Sequence, residues 1–175
     1  SCLVGSEMCI RDSRFREQYA GRIHIVEDQE INDLTKSVRF AHRSGEQEVL
    51  ILGATGLRED HTLGNISLLM DYAPLFRRIE MLSDYGIFTP LRQTTTLASD
   101  PGTQVSLFSL APSGTISTTG LRWPIRNRRL TAWWQGTLNE ATGNNFTVTL
   151  SADARIIVYR TLQICLLYTS PSPRD

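Results

Sequence analysis

The stretch LILGATGLREDHTLGNISLL, residues 50–69, carries the densest set of reactive side chains in the sequence. An apolar strand pattern runs into a turn containing Gly53, Thr55 and Gly56 and then into a helical pattern, an order that aims backbone N–H groups and a helix N-terminus at an anion. Arg58, Asp60 and His61 sit in or just after this turn, and Asn65 lies about one helical turn further on. The same turn also serves ordinary strand-to-helix geometry, because glycine alone supplies left-handed conformations freely.

A second constellation, EDQEINDLTKS at residues 27–37, follows the apolar run RIHIV. Asp28 and Glu30 crowd a helix start, where carboxylates complement the macrodipole, so capping is their expected role. Asp33 and Lys36 differ, because they can project near the carboxyl end of a sheet, the usual ligand edge of open α/β folds. A carboxylate there suits Mg²⁺, and Lys36 or Arg58 suits phosphate oxygens. Lys36 is the sole lysine among the 18 basic residues, so any mechanism needing a lysine has one candidate.

A GATG turn also opens many nicotinamide-dependent reductases. Here the third glycine position is Glu59, whose carboxylate repels a pyrophosphate, and Lys36 precedes the turn, so a Tyr-x-x-x-Lys pair cannot be assembled.

The elements that position these residues change character near residue 92. Before it, RIHIV (22–26), a helix, EVLIL (48–52), a second helix and RRIEMLS (77–83) alternate, which predicts an α/β unit with a parallel sheet. Ile31, Leu34, Val38 and Ala41 mark the first helix, with Asp28 as the expected cap and Gly45 at the stop. The second helix is expected from about His61 to Tyr72, ending before Pro74. After residue 92, QVSLFSL, GTISTTG, RLTAWW, NNFTVTLS and RIIVYR predict short strands separated by SDPG, APSG and ATGNN turns, as in an antiparallel sandwich or barrel. Trp133 and Trp134 are then consecutive strand residues, one facing in and one out, and are assigned to packing.

Composition narrows the partners. In 175 residues, 18 basic side chains balance 18 acidic ones, which argues against a nucleic-acid binder. No stretch approaches the roughly 20 apolar residues of a membrane helix. Cys2, Cys9 and Cys165 lie near the two ends, so the body has neither disulfides nor a cysteine metal site, and a cytoplasmic location is expected. Residues 1–13 and 165–175 resemble translated adapter sequence and are expected to be foreign. The remainder divides into a partial α/β catalytic domain, 14–92, and a β-sandwich domain, 93–164.

DQ-x-x-ND-L-x-K at residues 28–36, followed by LGATG-x-R-x-DHTL-x-N at 52–65, is similar to the thiamine pyrophosphokinase family, in which D-Q-x-x-T-D-x-x-K precedes G-x-x-G-R-x-D-H. STTGLRWPIRN at 117–127 and GTLNEATGNNFTV at 136–148 resemble that family's G-L-x-W-P-L and G-x-S-N-E segments, in the same order. The resemblance implies a Rossmann-like parallel-sheet domain followed by an antiparallel β-sandwich, in a homodimer with thiamine sites between subunits. It implies transfer of a diphosphate group from ATP to the thiamine hydroxyl with Mg²⁺, giving thiamine diphosphate and AMP. The alternatives are a reductase using the GATG turn and a thiamine-binding protein without catalysis.

By the family pattern Asp33 is the metal or substrate carboxylate, and Asp33, Arg58 and Asp60 form the catalytic edge. Gln29, Lys36, Gly53, Thr55, Gly56 and Arg58 face the nucleotide, and His61 supports by hydrogen bonding. Trp123 is expected to stack on thiamine, Asn139 to hydrogen-bond its pyrimidine, and Thr137 to lie adjacent. Three departures stand out. Asn32 replaces a common threonine, Leu138 occupies the serine of G-x-S-N-E, and a G-D-x-D-S segment carrying two metal carboxylates is absent. For want of those carboxylates the chain as written is expected to be inactive.

Overall fold

The computed structural model describes residues 31–56 and 58–162. RIHIV, Asp28, Gln29 and Glu30 therefore lie outside the described residues, as do the two ends expected to be foreign.

Helix α1 spans Asp33–Arg43. Its cap is Asn32, whose side-chain oxygen accepts from the Thr35 N–H at 2.8 Å. The cap expected at Asp28 is thus supplied at the residue just before the helix, where an Asx side chain reaches the N3 amide. Val38 and Ala41 are buried as the apolar spacing requires, and Gly45, at φ +81°, ends the helix in a conformation open to glycine. Strand β1, Glu48–Leu52, follows. Helix α2 spans Glu59–Tyr72 and starts two residues before the expected His61. Glu59 and Asp60 in its first turn favour the positive helix end, which explains the earlier start. The short 3-10 turn Ala73–Leu75, with Pro74, closes it.

Strands β2 (Arg78–Leu82), β3 (Gly86–Leu91), β4 (Thr95–Ala98), β5 (Gln104–Ser109), β6 (Ile116–Thr119), β7 (Asn139–Glu140), β8 (Asn145–Leu150) and β9 (Ile156–Thr161) complete the described chain. They form a six-stranded sheet ordered β1-β2-β3-β9-β5-β7 and a three-stranded sheet ordered β4-β8-β6. The parallel pairing expected in the first half holds for β1 and β2, and every other pairing is antiparallel. The larger sheet runs from β1 through β3 into β9, so both halves of the chain share it. The RLTAWW strand does not form: Trp133–Gly136 is a 3-10 turn. Gly136 explains this, since a side chain there would collide with the Leu107 carbonyl at 2.3 Å, and the backbone is pressed against β5.

Alternation along β9 divides the core. Ile157 packs with Val38, Leu69, Ile79 and Met81 on the helix-bearing face, whereas Ile156 and Val158 pack with Leu107, Phe146 and Val148 beneath the three-stranded sheet. A mixed α/β fold results, with helices on one face of the large sheet and a second sheet on the other.

A buried polar knot crosses the seam between the halves. Glu80 on β2 accepts from Thr89 on β3 at 2.7 Å and from Arg160 on β9 at 3.1 Å, while its other oxygen accepts from Arg78 at 2.6 Å. Arg160 also donates to the Ala98 carbonyl of β4 at 2.9 Å, tying the two sheets together. Among the described residues no helix is long and apolar enough to cross a membrane.

Candidate functional site

The turn after β1 is braced by α2. Gly53 and Gly56 adopt φ of +68° and +92°. The Asn65 amide donates to the Ala54 carbonyl at 2.8 Å, and Thr62 accepts from the Gly56 N–H at 3.2 Å while donating to the Arg58 carbonyl at 3.0 Å. Asn65 and Thr62 therefore shape the loop, and Thr55 lies half-buried within it.

Arg58 and Asp60 form a two-pronged ion pair, Nε to Oδ1 at 3.0 Å and Nη2 to Oδ2 at 2.5 Å. Asp60 also accepts from the His61 backbone N–H at 2.9 Å. Arg58 is the main cause that lowers the Asp60 carboxyl below its ordinary range, and the guanidinium is raised in return. Both side chains are exposed, and the carboxylate fixes the orientation of the guanidinium.

Asp33 and Lys36 pair at 3.4 Å across one turn of α1. Next to them, the Thr35 hydroxyl lies 2.5 Å from the Tyr72 hydroxyl, which joins α1 to α2. Among the described residues no hydrogen bond or ion pair links Asp33–Lys36 to Arg58–Asp60, and no group of three or more His, Cys, Asp or Glu side chains gathers to hold a metal. Gln29 lies outside the described residues. The described carboxylates therefore build no metal cage by themselves, and Asp33 alone would offer a divalent cation a single carboxylate, too few ligands without others from outside this set.

The β half brings its three expected residues together. Trp123, Thr137 and Asn139 line one open cleft of about 500 Å³, joined by Arg126, Arg128 and Leu138. Asn139 is buried, and its side chain grips Trp123: Oδ1 accepts from the Trp123 N–H at 3.1 Å and Nδ2 donates to the Trp123 carbonyl at 2.7 Å. Trp123 remains 55% exposed, and the Arg122 guanidinium stands 5.2 Å from its ring centroid. Thr137 donates to the Trp134 carbonyl at 2.9 Å, so its hydroxyl hydrogen is engaged within the loop. Leu138 is 78% exposed at a left-handed φ of +59°, and its N–H donates to Ser106 at 3.3 Å.

Trp133 and Trp134 stay outside this cleft. Trp133 packs edge-on against Phe108 and donates its indole N–H to the Ser109 carbonyl at 3.1 Å, while Trp134 is exposed. Sequence reasoning missed Arg126 and Arg128. The basic run RWPIRNRR beside the tryptophan was the available signal.

Fold and site together define a two-part protein: a glycine turn braced by a helix on an α/β half and an open cleft with an exposed tryptophan on a β half. Two family models match the chain in that order, the thiamin pyrophosphokinase catalytic domain over residues 11–82 and the thiamin pyrophosphokinase substrate-binding domain over residues 86–159. The chain belongs to the thiamine pyrophosphokinase family. Thiamine pyrophosphokinase 1 of Oryza sativa subsp. japonica is 38% identical over 112 residues, covering 57% of this chain and 42% of the relative. Thiamine pyrophosphokinase 3 of the same plant is 32% identical over 143 residues, covering 74% and 53%. The chain thus spans about half or less of these relatives' length. The fold matches the crystal structure of thiamine pyrophosphokinase from Bacillus subtilis with a TM-score of 0.75 at 20% identity, over 88% of this chain and 75% of that one. Thiamin pyrophosphokinase from Candida albicans gives 0.72 at 16% identity, over 86% and 70%. Neither the family models nor these relatives support the reductase alternative.

Proposed function

We propose that this chain is part of an enzyme that transfers a diphosphate group from ATP to thiamine. The thiamine hydroxyl oxygen attacks the β-phosphorus and the bond to the α–β bridging oxygen breaks. AMP leaves, and the hydroxyl proton is released. The observation that carries the reading is the convergence of Trp123, Thr137 and Asn139 on one cleft, in a chain whose two halves match the family's two domains.

The residues divide the work by chemistry. Arg122 already occupies a cation–π position on Trp123, so a neutral aminopyrimidine suits the indole better than a second cation does. Arg58, oriented by Asp60, is suited to phosphate oxygens, and Lys36 adds a second cation beside Asp33. Phosphoryl-type transfer asks mainly for positioning and spread positive charge, which these groups supply. Mg²⁺ would neutralise phosphate charge when bound with the nucleotide. In this reading residues 14–92 form the Rossmann-like catalytic half and 93–164 the sandwich half, acting in the cytoplasm as a homodimer whose thiamine sites lie between subunits.

The test is a two-part assay on the chain as written. Calorimetric titration is expected to show saturable thiamine binding, while ATP- and Mg²⁺-dependent thiamine diphosphate formation is expected to be absent or slight, since the G-D-x-D-S carboxylates are missing from this sequence. Failure to bind thiamine contradicts the site assignment, and robust turnover shows that the missing segment is dispensable.

A further inference from the structure

The Trp123 cleft carries more positive charge than a cationic ligand would favour. Arg126 and Arg128 both line it, and among the described residues neither guanidinium has an acidic partner or a side-chain hydrogen bond. Glu140, next in sequence to the cleft residue Asn139, is committed to Arg122 at 3.4 Å and to Gln104 at 3.3 Å. Two uncompensated guanidiniums at the wall of an aromatic cleft form a fork for phosphate oxygens. Both residues are exposed, and although the Arg128 backbone bridges to Ile116, that bridge uses only main-chain groups, so the fold's hydrogen bonds do not require a guanidinium at either position.

We infer that Arg126 and Arg128 form an anion subsite within this cleft, and that the cleft binds phosphorylated thiamine more tightly than thiamine itself. This inference rests on the thiamine reading above. The aromatic wall holds the ring system, while the two arginines hold the ester phosphates that the reaction adds. The site then retains product, and a flat ligand with an anionic tail competes with substrate.

Calorimetric titration of the chain with thiamine, thiamine monophosphate, thiamine diphosphate and inorganic diphosphate, at low and high salt, tests it. Affinity is expected to rise along the thiamine series by at least about tenfold from first to last, and the gain to shrink at high salt. In the Arg126→Ala/Arg128→Ala double variant the ratio should fall towards one, and in Arg126→Lys/Arg128→Lys, which keeps the charge but not the fork, it should fall only part of the way. Equal affinities across the series, or a ratio unchanged in the alanine variant, overturns the inference. Binding of inorganic diphosphate that depends on both arginines, with no binding of any thiamine compound, keeps the anion subsite and removes the thiamine reading. A thermal melt of each variant separates these results from misfolding.

Discussion

The buried Asn139 side chain holds Trp123 by both of its backbone polar groups, the N–H at 3.1 Å and the carbonyl at 2.7 Å. A tryptophan that is 55% exposed thereby has a fixed base, which is what an aromatic face needs if it is to meet a ligand without losing freedom on binding. Asn139→Ala leaves the Trp123 groups and the Glu140 N–H without this partner. The variant should lose about 1–3 kcal/mol of stability and bind thiamine more weakly. Chemical denaturation and calorimetry on the same preparation check both effects.

Leu138 presents the opposite economy. A β-carbon in the left-handed region is strained, and the side chain, 78% exposed, has almost no packing to offset that strain. Leu138→Gly should therefore raise stability by about 0.5–1 kcal/mol, read as a higher denaturation midpoint. If thiamine affinity falls in the same variant, the leucine is a wall of the cleft, and a fall in stability contradicts the strain argument.

The Glu80 knot sets how the two halves hold together. Glu80→Ala strands the half-buried Arg160, which burial already disfavours in its charged form and which Glu80 supports. Loss of about 3–5 kcal/mol is expected in thermal or urea unfolding. A loss below about 1 kcal/mol would show the knot to be no stronger than a surface pair.

Acid should leave the Arg58–Asp60 pair standing below the pH at which an ordinary carboxylate takes up its proton. Arg58 holds the Asp60 carboxyl below its ordinary range, so the pair's contribution is full above the ordinary carboxylate pKa and is lost only as the pH falls through the lowered value. Carboxyl-carbon NMR should place the Asp60 midpoint below the ordinary aspartate value, and in Arg58→Ala it should move up.

Much of the architecture was legible because local and tertiary demands agree. EVLIL forms β1 at the expected bounds, and Leu34, Val38 and Ala41 predict the buried stripe of α1. Strand β3 was hidden because GIFTPL carries a glycine and a proline. Its pairing with β2 is confined to Ile87 and Phe88, so Pro90 lies beyond those rungs. The Trp133–Gly136 turn was hidden by two aromatic residues of high strand preference, and tertiary contact at Gly136 overrides that preference. In the cleft, Trp123, Thr137 and Asn139 were legible as a motif. The arginines were not, because exposed charge in a loop reads as solvation until a shared wall is seen.

The most direct measurement follows the three tryptophan indole N–H signals by NMR as thiamine is added, each assigned by its Trp→Phe variant. Saturable movement of the Trp123 signal, with Trp133 held steady by its bond to Ser109, is the predicted result. Saturable binding that leaves Trp123 unmoved would contradict the account.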